Sequence, residues 1–243
     1  MLSSFDTIIL AGGIGSRLSG VVSDRPKCLA EINERPFLAY LLDQLERAGI
    51  HDVILSAGYM AEKVKAAFGA RHGSVALRYS REEKPLGTGG GVKRALGLCR
   101  HDYVLVLNGD SYFDFDWRDF LGWFDPAAMR LAMVLAWMED GRRFGQVTIG
   151  DDGQVVRFQE KNEAANAGWI NAGIYMIRRE VLAQFVAGEN FSLERDFFPA
   201  RIGCGFFARG YHGRFIDIGT PESYHAAEEF FRDQKSGFKA PSS

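Results

Sequence analysis

The sequence predicts an α/β protein: a Rossmann-like, doubly wound, mostly parallel sheet with helices on both faces and an added mixed β lobe. Three observations carry this expectation. Nearly apolar strand runs alternate with helix-spaced apolar residues through the first half, glycine clusters stand where a strand hands over to a helix, and hairpin patterning takes over after about Ala128. With 243 residues, 47% of them apolar, the chain has material for one sizeable core.

The elements follow in order. Thr7 to Ala11 is a β-branched run that opens into Gly12, Gly13 and Gly15, and Phe37, Leu38, Leu41, Leu42 and Leu45 recur at helical spacing. Asp52 to Ala57 predicts a second strand, Ala61 to Phe68 a second helix and Val75 to Tyr79 a third strand. Val92 to Leu98 predicts a third helix behind another glycine loop, and Tyr103 to Leu107 a fourth strand. In the second half, Leu131 to Ala136 is strand-like, and Gln146 to Ile149 and Val155 to Gln159 flank an Asp-Asp-Gly turn as a hairpin. Ile170 to Ile177 predicts a further strand, Glu180 to Val186 a helix and Ser192 the start of a short one. Thr220-Pro221-Glu222 reads as a helix start with Thr as N-cap and Pro first, leading into Tyr224 to Asp233. No Pro, Gly or Ser-rich linker intervenes. The expectation is therefore one domain over 1–235, with halves 1–125 and 126–235 and a frayed tail at 236–243.

Composition excludes several classes. Lys plus Arg number 29 against 31 for Asp plus Glu, a net charge of -2 without the basic excess of nucleic-acid binders. The three cysteines, Cys28, Cys99 and Cys204, are odd in number and far apart, as reduced thiols in a cytoplasmic protein would be. The longest apolar run, Leu131 to Met138, falls far short of the roughly 20 residues of a membrane helix, and no export signal opens the chain.

The candidate site residues cluster at predicted strand ends. LAGGIGSRL, from Leu10 to Leu18, lies where open α/β sheets bind ligands; its glycines let backbone N–H groups approach phosphate oxygens, and Arg17 is a forked cation suited to polyphosphate. A plain tight turn is the alternative. A dinucleotide fingerprint fits poorly, because the third Gly and the ribose acid are missing. Pro26-Lys27 puts a point charge beside this loop, PLGTGGG (Pro85 to Gly91) concentrates glycines before a helix, and Asn108-Gly109-Asp110 ends the fourth strand with a carboxylate. The aromatic run Tyr112, Phe113, Phe115, Trp117, Phe120, Trp123 and Phe124 has the spacing of a helix packed on the sheet and reads as core.

Taken together, LAGGIGSRL, Pro26-Lys27, PLGTGG, NGD, Glu160-Lys161, Asn171-Ala172-Gly173-Ile174-Tyr175 and DIGTPESY resemble, in order and spacing, the sugar-1-phosphate nucleotidyltransferases from Ile8 to about Phe230. DRPKCLAEIN, YSREEKPLGTGGGVK, FQEKN and NAGIY look most like the branch that guanylylates D-glycero-D-manno-heptose 1-phosphate. Mannose-1-phosphate guanylyltransferases and N-acetylmuramate-1-phosphate uridylyltransferases are alternatives within the family. The resemblance implies that Leu10, Ala11, Gly12, Gly13, Gly15, Arg17, Leu86, Gly87, Thr88, Gly89 and Asn108 hold the nucleotide, with Arg17, Lys27 and Asp110 catalytic. It further implies that Asp110 and Asp217 bind Mg²⁺ and that Glu160, Lys161 and Asn171 hold the sugar phosphate. The implied partners are a nucleoside triphosphate, GTP favoured, and a sugar 1-phosphate, with a homo-oligomer as an option. Cys28 departs from the family, where a second proline is common. A non-catalytic sugar-nucleotide-binding regulator of the same fold is the reading from another class, and such a protein would be expected to have lost Lys27 or a carboxylate.

The chemistry implied needs no general base. The nucleophile is a phosphate monoester with a second pKa of about 6, already dianionic at neutral pH, and none of His51, His72, His101, His212 or His225 stands in a motif. Glu82, Glu83 or a loop carbonyl would accept from guanine N1–H and N2–H₂.

Overall fold

Alternating strands and helices build the expected layers in a computed structural model that describes residues 4–13, 24–159 and 167–236. β1 (Asp6–Leu10) is followed, beyond the glycine loop, by a 3₁₀ turn at Lys27–Leu29 and the small pair β2 (Glu31–Ile32) and β3 (Arg35–Pro36). Then come α1 (Phe37–Arg47), β4 (Asp52–Ala57), α2 (Ala61–Phe68), β5 (Arg71–His72), β6 (Val75–Arg81), α3 (Gly87–Ala95) and β7 (Tyr103–Asn108). The second half adds β8 (Ser111–Phe113), α4 (Trp117–Trp123), β9 (Leu131–Met138), β10 (Gln146–Ile149), β11 (Val155–Gln159), β12 (Gly168–Arg178), β13 (Phe206–Tyr211), β14 (Phe215–Asp217) and α5 (Pro221–Ser236).

Strands β7, β1, β4 and β6 lie side by side and parallel, with β1 central. β12 pairs antiparallel with β7, and the second half continues the same sheet through β10, β11, β9 and β13. Alternate strand residues feed two cores. Ile9, Leu105 and Leu107 pack with α1, α2, α4 and α5, whereas Ile8, Val104 and Val106 pack with α3 and the 193–198 segment. This two-sided burial is why the parallel strands are apolar at nearly every position.

Three expectations shift. The aromatic run is core as expected, Phe113 and Phe120 being fully buried, but Tyr112 and Phe113 lie on a strand and only Trp117–Trp123 on a helix. The glycines expected as a loop before Val92 are the first turns of α3 itself. The helix expected over Glu180–Val186 is only a 3₁₀ turn at Arg179–Leu182. The acceptor that would continue it, Leu182 O, takes the Lys93 ammonium at 2.9 Å, and Val186 N–H donates to Glu189 Oε2 at 3.0 Å. A distant cation and a local carboxylate three residues on thus replace the i→i−4 bond. At Thr220 the expected N-cap holds: its hydroxyl accepts from Ser223 N–H at 3.3 Å, with Pro221 first in the helix.

Candidate active site

The site collects at the carboxyl ends of β1, β4 and β7. Leu10 sits in register between Ser56 and Asn108, and the chain leaves the sheet there, with Ala11 N–H donating to Ser56 O at 2.8 Å and Gly109 N–H to Leu10 O at 3.0 Å. Gly12 is forced by crowding, since a Cβ would lie 2.9 Å from Gly58 N and 3.1 Å from Glu82 Oε1; a Cβ on Gly13 would meet nothing within 4 Å. Gly15 and Arg17 lie outside the described residues, as do Glu160 and Lys161, so their expected roles find no geometry here.

Lys27 and the two carboxylates come together. The β8–β14 ribbon pairs Ser111 with Asp217, and Ile218 N–H donates to Asp110 O at 2.9 Å. That register brings Asp110 and Asp217 beside one another although they are far apart in the chain. Lys27 Nζ donates to Asp110 Oδ2 at 2.6 Å. Asp217 Oδ2 accepts from Gly219 N–H at 2.8 Å. The space next to Gly219 Cα lies 2.4 Å from Asp217 Oδ2 and 3.5 Å from Lys27 Nζ, so a side chain there would push between them. Arg143, which the sequence reading missed, reaches Asp217 from the β9–β10 loop, Nη2 standing 3.0 and 3.1 Å from the two carboxylate oxygens. Nothing local marks this arginine; only the fold brings it there.

The second glycine run packs closely against the chain itself. A Cβ on Gly89 would lie 2.1 Å from the Phe191 ring, one on Gly90 2.4 Å from Glu189 O, and one on Gly87, whose φ is +72°, 2.5 Å from Phe191 O. Phe191 O accepts the N–H groups of Gly89 and Gly90 at 3.0 and 3.3 Å, and the Thr88 hydroxyl donates to Glu194 Oε2 at 2.7 Å. The glycines expected to make room for a nucleotide also admit the chain's own 189–194 segment, which engages the Gly89 amide and the Thr88 hydroxyl. Leu86 is buried, and its N–H donates to Glu82 Oε2 at 3.2 Å. Glu82 therefore stands out from Glu83, which is exposed. Its carboxylate lies in the notch between Gly12, Gly58 and Gly91, and burial pushes its pKa above the usual carboxylate value, partly offset by the bonds from Leu86 N–H and the Ser56 hydroxyl.

On the β12 side, Asn171 anchors a bulge where pairing with β9 breaks between Asn171 and Tyr175. Its Oδ1 accepts from Gly173 N–H and its Nδ2 donates to the fully buried Tyr175 hydroxyl, both at 2.8 Å. Gly173 takes φ +77°, and a Cβ there would strike Ser111 Oγ at 2.8 Å and Asn108 Nδ2 at 2.9 Å. Asn171 thus keeps one free amide N–H at most, and its first duty is to shape the strand. The Asn108 side-chain oxygen is buried without a hydrogen-bond partner among the described residues. Cys28 is no nucleophile: it is buried, its thiol is pushed up to about 12 by that burial, and it points at Ala11 O. His72 pairs with Asp43, His51 with Ser74 and His101 with Asp6, while His212 lies against Trp137 and Trp169. None of these partners is among the site residues named above.

A glycine-lined sheet edge, a lysine bonded to one of two carboxylates that the β8–β14 register brings together, and a half-buried glutamate in a notch between glycines make this edge the candidate site of an enzyme. The family described as nucleotidyl transferase matches residues 6–234, and the chain belongs to it. It is 37% identical over 228 residues to the D-glycero-α-D-manno-heptose 1-phosphate guanylyltransferase of Aneurinibacillus thermoaerophilus, covering 92% of this chain and 97% of that one. To the protein of the same name from Campylobacter jejuni it is 35% identical over 218 residues, covering 90% and 96%. Among solved structures, HddC from Yersinia pseudotuberculosis complexed with GMP-PN aligns with a TM-score of 0.82 at 33% identity, over 94% of this chain and 100% of that one. No helix among the described residues is long and apolar enough to cross a membrane.

Nucleotidyl transferases generally use a divalent metal ion, and the donors here fit one. Asp110 and Asp217 offer hard carboxylate oxygens, and each already attracts a cation, Lys27 or Arg143. No group of three or more His, Cys, Asp or Glu that could hold a metal occurs among the described residues. Two carboxylates completed by substrate phosphates suit a hard cation, whereas a closed zinc site needs four protein ligands.

Proposed function

We propose that the protein transfers GMP from GTP to D-glycero-α-D-manno-heptose 1-phosphate, releasing pyrophosphate and forming the GDP-sugar, with Mg²⁺ as its metal. The observation that carries the reading is the juxtaposition of Lys27, Asp110 and Asp217 at the edge of the sheet beside the Glu82 notch. Both of the first relatives named above carry the guanylyltransferase name over nearly their whole length.

An oxygen of the sugar phosphate attacks the α-phosphorus in line; that P–O bond forms as the bond to the bridging oxygen breaks, and pyrophosphate carries the electron pair away. The nucleophile is already dianionic, so the obstacle is repulsion between two polyanions. Lys27, drawn forward by Asp110, places a positive charge where the α-phosphate gains charge. A divalent ion held by Asp110 and Asp217 would supply charge neutralisation at the phosphates. The half-buried Glu82 carboxylate reads the N1–H and N2–H₂ edge of guanine, an edge adenine lacks, so adenine would forgo those charge-assisted bonds. Gly12, Gly13, Gly15 and Arg17 hold the triphosphate, and Glu160, Lys161 and the remaining Asn171 N–H hold the sugar phosphate. A cytoplasmic enzyme of this kind draws on the GTP pool and feeds surface-glycan assembly.

The test is a grid of four nucleoside triphosphates against heptose, mannose and N-acetylmuramate 1-phosphates, with pyrophosphate release as readout. The expected optimum is GTP with the heptose 1-phosphate; a preference for UTP would move the protein to the uridylyltransferase reading.

A further inference from the structure

The two adjacent carboxylates carry different cations. Lys27 reaches Asp110 from the nucleotide side, and its side chain is only 12% exposed. Arg143 reaches Asp217 from the β9–β10 loop with 45% of its side chain exposed. All its hydrogen bonds come from Nη2, to both Asp217 oxygens and, at 3.3 Å, to Ser223 Oγ, so Nη1 and Nε make none among the described residues. The guanidinium stands 5.5 Å from the Phe144 ring centre, a contact that steadies its plane. Two residues on, Gly145 O accepts Asn171 N–H at 2.9 Å, which ties this loop to the β12 bulge on the sugar-phosphate side.

A divalent ion on Asp217 and the Arg143 guanidinium need the same pair of oxygens and repel one another. We propose that Arg143 is a second phosphate-binding cation: it holds Asp217 while the metal is absent, and on metal binding it turns to the phosphate of the sugar 1-phosphate. The chemistry favours that ligand. A guanidinium fork matches two phosphate oxygens, and two cations facing two carboxylates sum to zero, so the ion's charge leaves this cluster positive when the acceptor arrives. Lys27 then serves the nucleotide and Arg143 the acceptor. This assignment rests on the transferase reading above.

The experiment compares wild type with Arg143→Gln, with the melting temperature as a check on folding. Without substrates, Mn²⁺ titrated by electron paramagnetic resonance is expected to bind the variant about three- to fivefold more tightly, because a half-exposed competing ion pair is removed. With substrates, KM for the sugar 1-phosphate is expected to rise at least about tenfold, as loss of a charge-assisted bidentate contact implies, while KM for the triphosphate moves less than about twofold. Arg143→Lys, which keeps charge but not the fork, should restore only part of the loss. Inorganic phosphate binding to the Mn²⁺-loaded protein, followed by calorimetry, should weaken in Arg143→Gln. Unchanged or weaker Mn²⁺ binding, or a KM change confined to the triphosphate, would overturn the proposal. Were the wild type to turn over none of the sugar phosphates, the transferase reading would fall, while the Mn²⁺ and phosphate titrations would still judge Arg143.

Discussion

The carboxylate cluster and the α3 glycine run make opposite use of their surroundings. Lys27, Asp110, Asp217 and Arg143 form a charged group, and the Asp110 side chain is 43% exposed. Gly89 and Gly90 are buried, their amides taken by Phe191 O, with the Phe191 ring stacked 3.9 Å from Phe185. One region gathers opposed charges, as the proposed ligand chemistry needs, and the other lets two pieces of backbone meet. Glycines near the candidate site thus serve packing of the chain against itself, and packing and charge respond differently to substitution.

The largest expected separation comes from the carboxylates. Asp110→Asn and Asp217→Asn should each reduce kcat by about 10³-fold, roughly 4 kcal/mol of barrier, with little change in melting temperature, because each loses a charged ligand but keeps its shape. Steady-state kinetics beside thermal melts would show it. A large stability loss with intact turnover would reverse the contrast.

Gly89→Ala probes the opposite region. The new methyl would sit 2.1 Å from the Phe191 ring, a ring fixed by its stack on Phe185, so the expected cost is roughly 3 kcal/mol of stability despite alanine's better helix propensity. Gly13→Ala, with nothing within 4 Å, should change stability by less than about 1 kcal/mol. Urea midpoints for the two variants would test this, and equal losses would erase the distinction.

Lys27→Ala should lower kcat by about 10²-fold while raising KM for the triphosphate much less, since the cation matters most as charge builds on the α-phosphate. An effect on KM alone would make Lys27 a ground-state binder.

The smallest effect concerns Glu82. Burial raises its pKa, so its charged form costs the folded state stability; that cost is absent below the unfolded carboxylate pKa and present in full above the folded one. Guanine binding needs the charged form, so KM for GTP should worsen as pH falls through the raised folded pKa. Glu82→Gln should flatten that limb and reduce GTP-over-ATP selectivity by about tenfold, or 1.4 kcal/mol. The separate acid limb near the sugar phosphate's own pKa of about 6 should persist in every single His variant. KM measured across pH for both substrates distinguishes the two limbs.

Much of this protein was legible from local pattern. β4, α2, β10 and β11 fall where their apolar periodicity places them, because strand and helix periods are local properties of the chain. The motif residues at the ends of β1 and β7 could be named in advance because glycine and carboxylate chemistry is written in residue type. The tertiary structure decided the rest. The β8–β14 register put Asp217 beside Asp110; Lys93 took the Leu182 carbonyl that would have carried a helix onward; and Phe191 claimed the glycines of α3. It also delivered Arg143 to Asp217 from a loop whose sequence carries no motif. In each case the deciding partner is distant along the chain, and a hydrogen bond or contact formed at long range outcompetes the local preference that sequence periodicity reports.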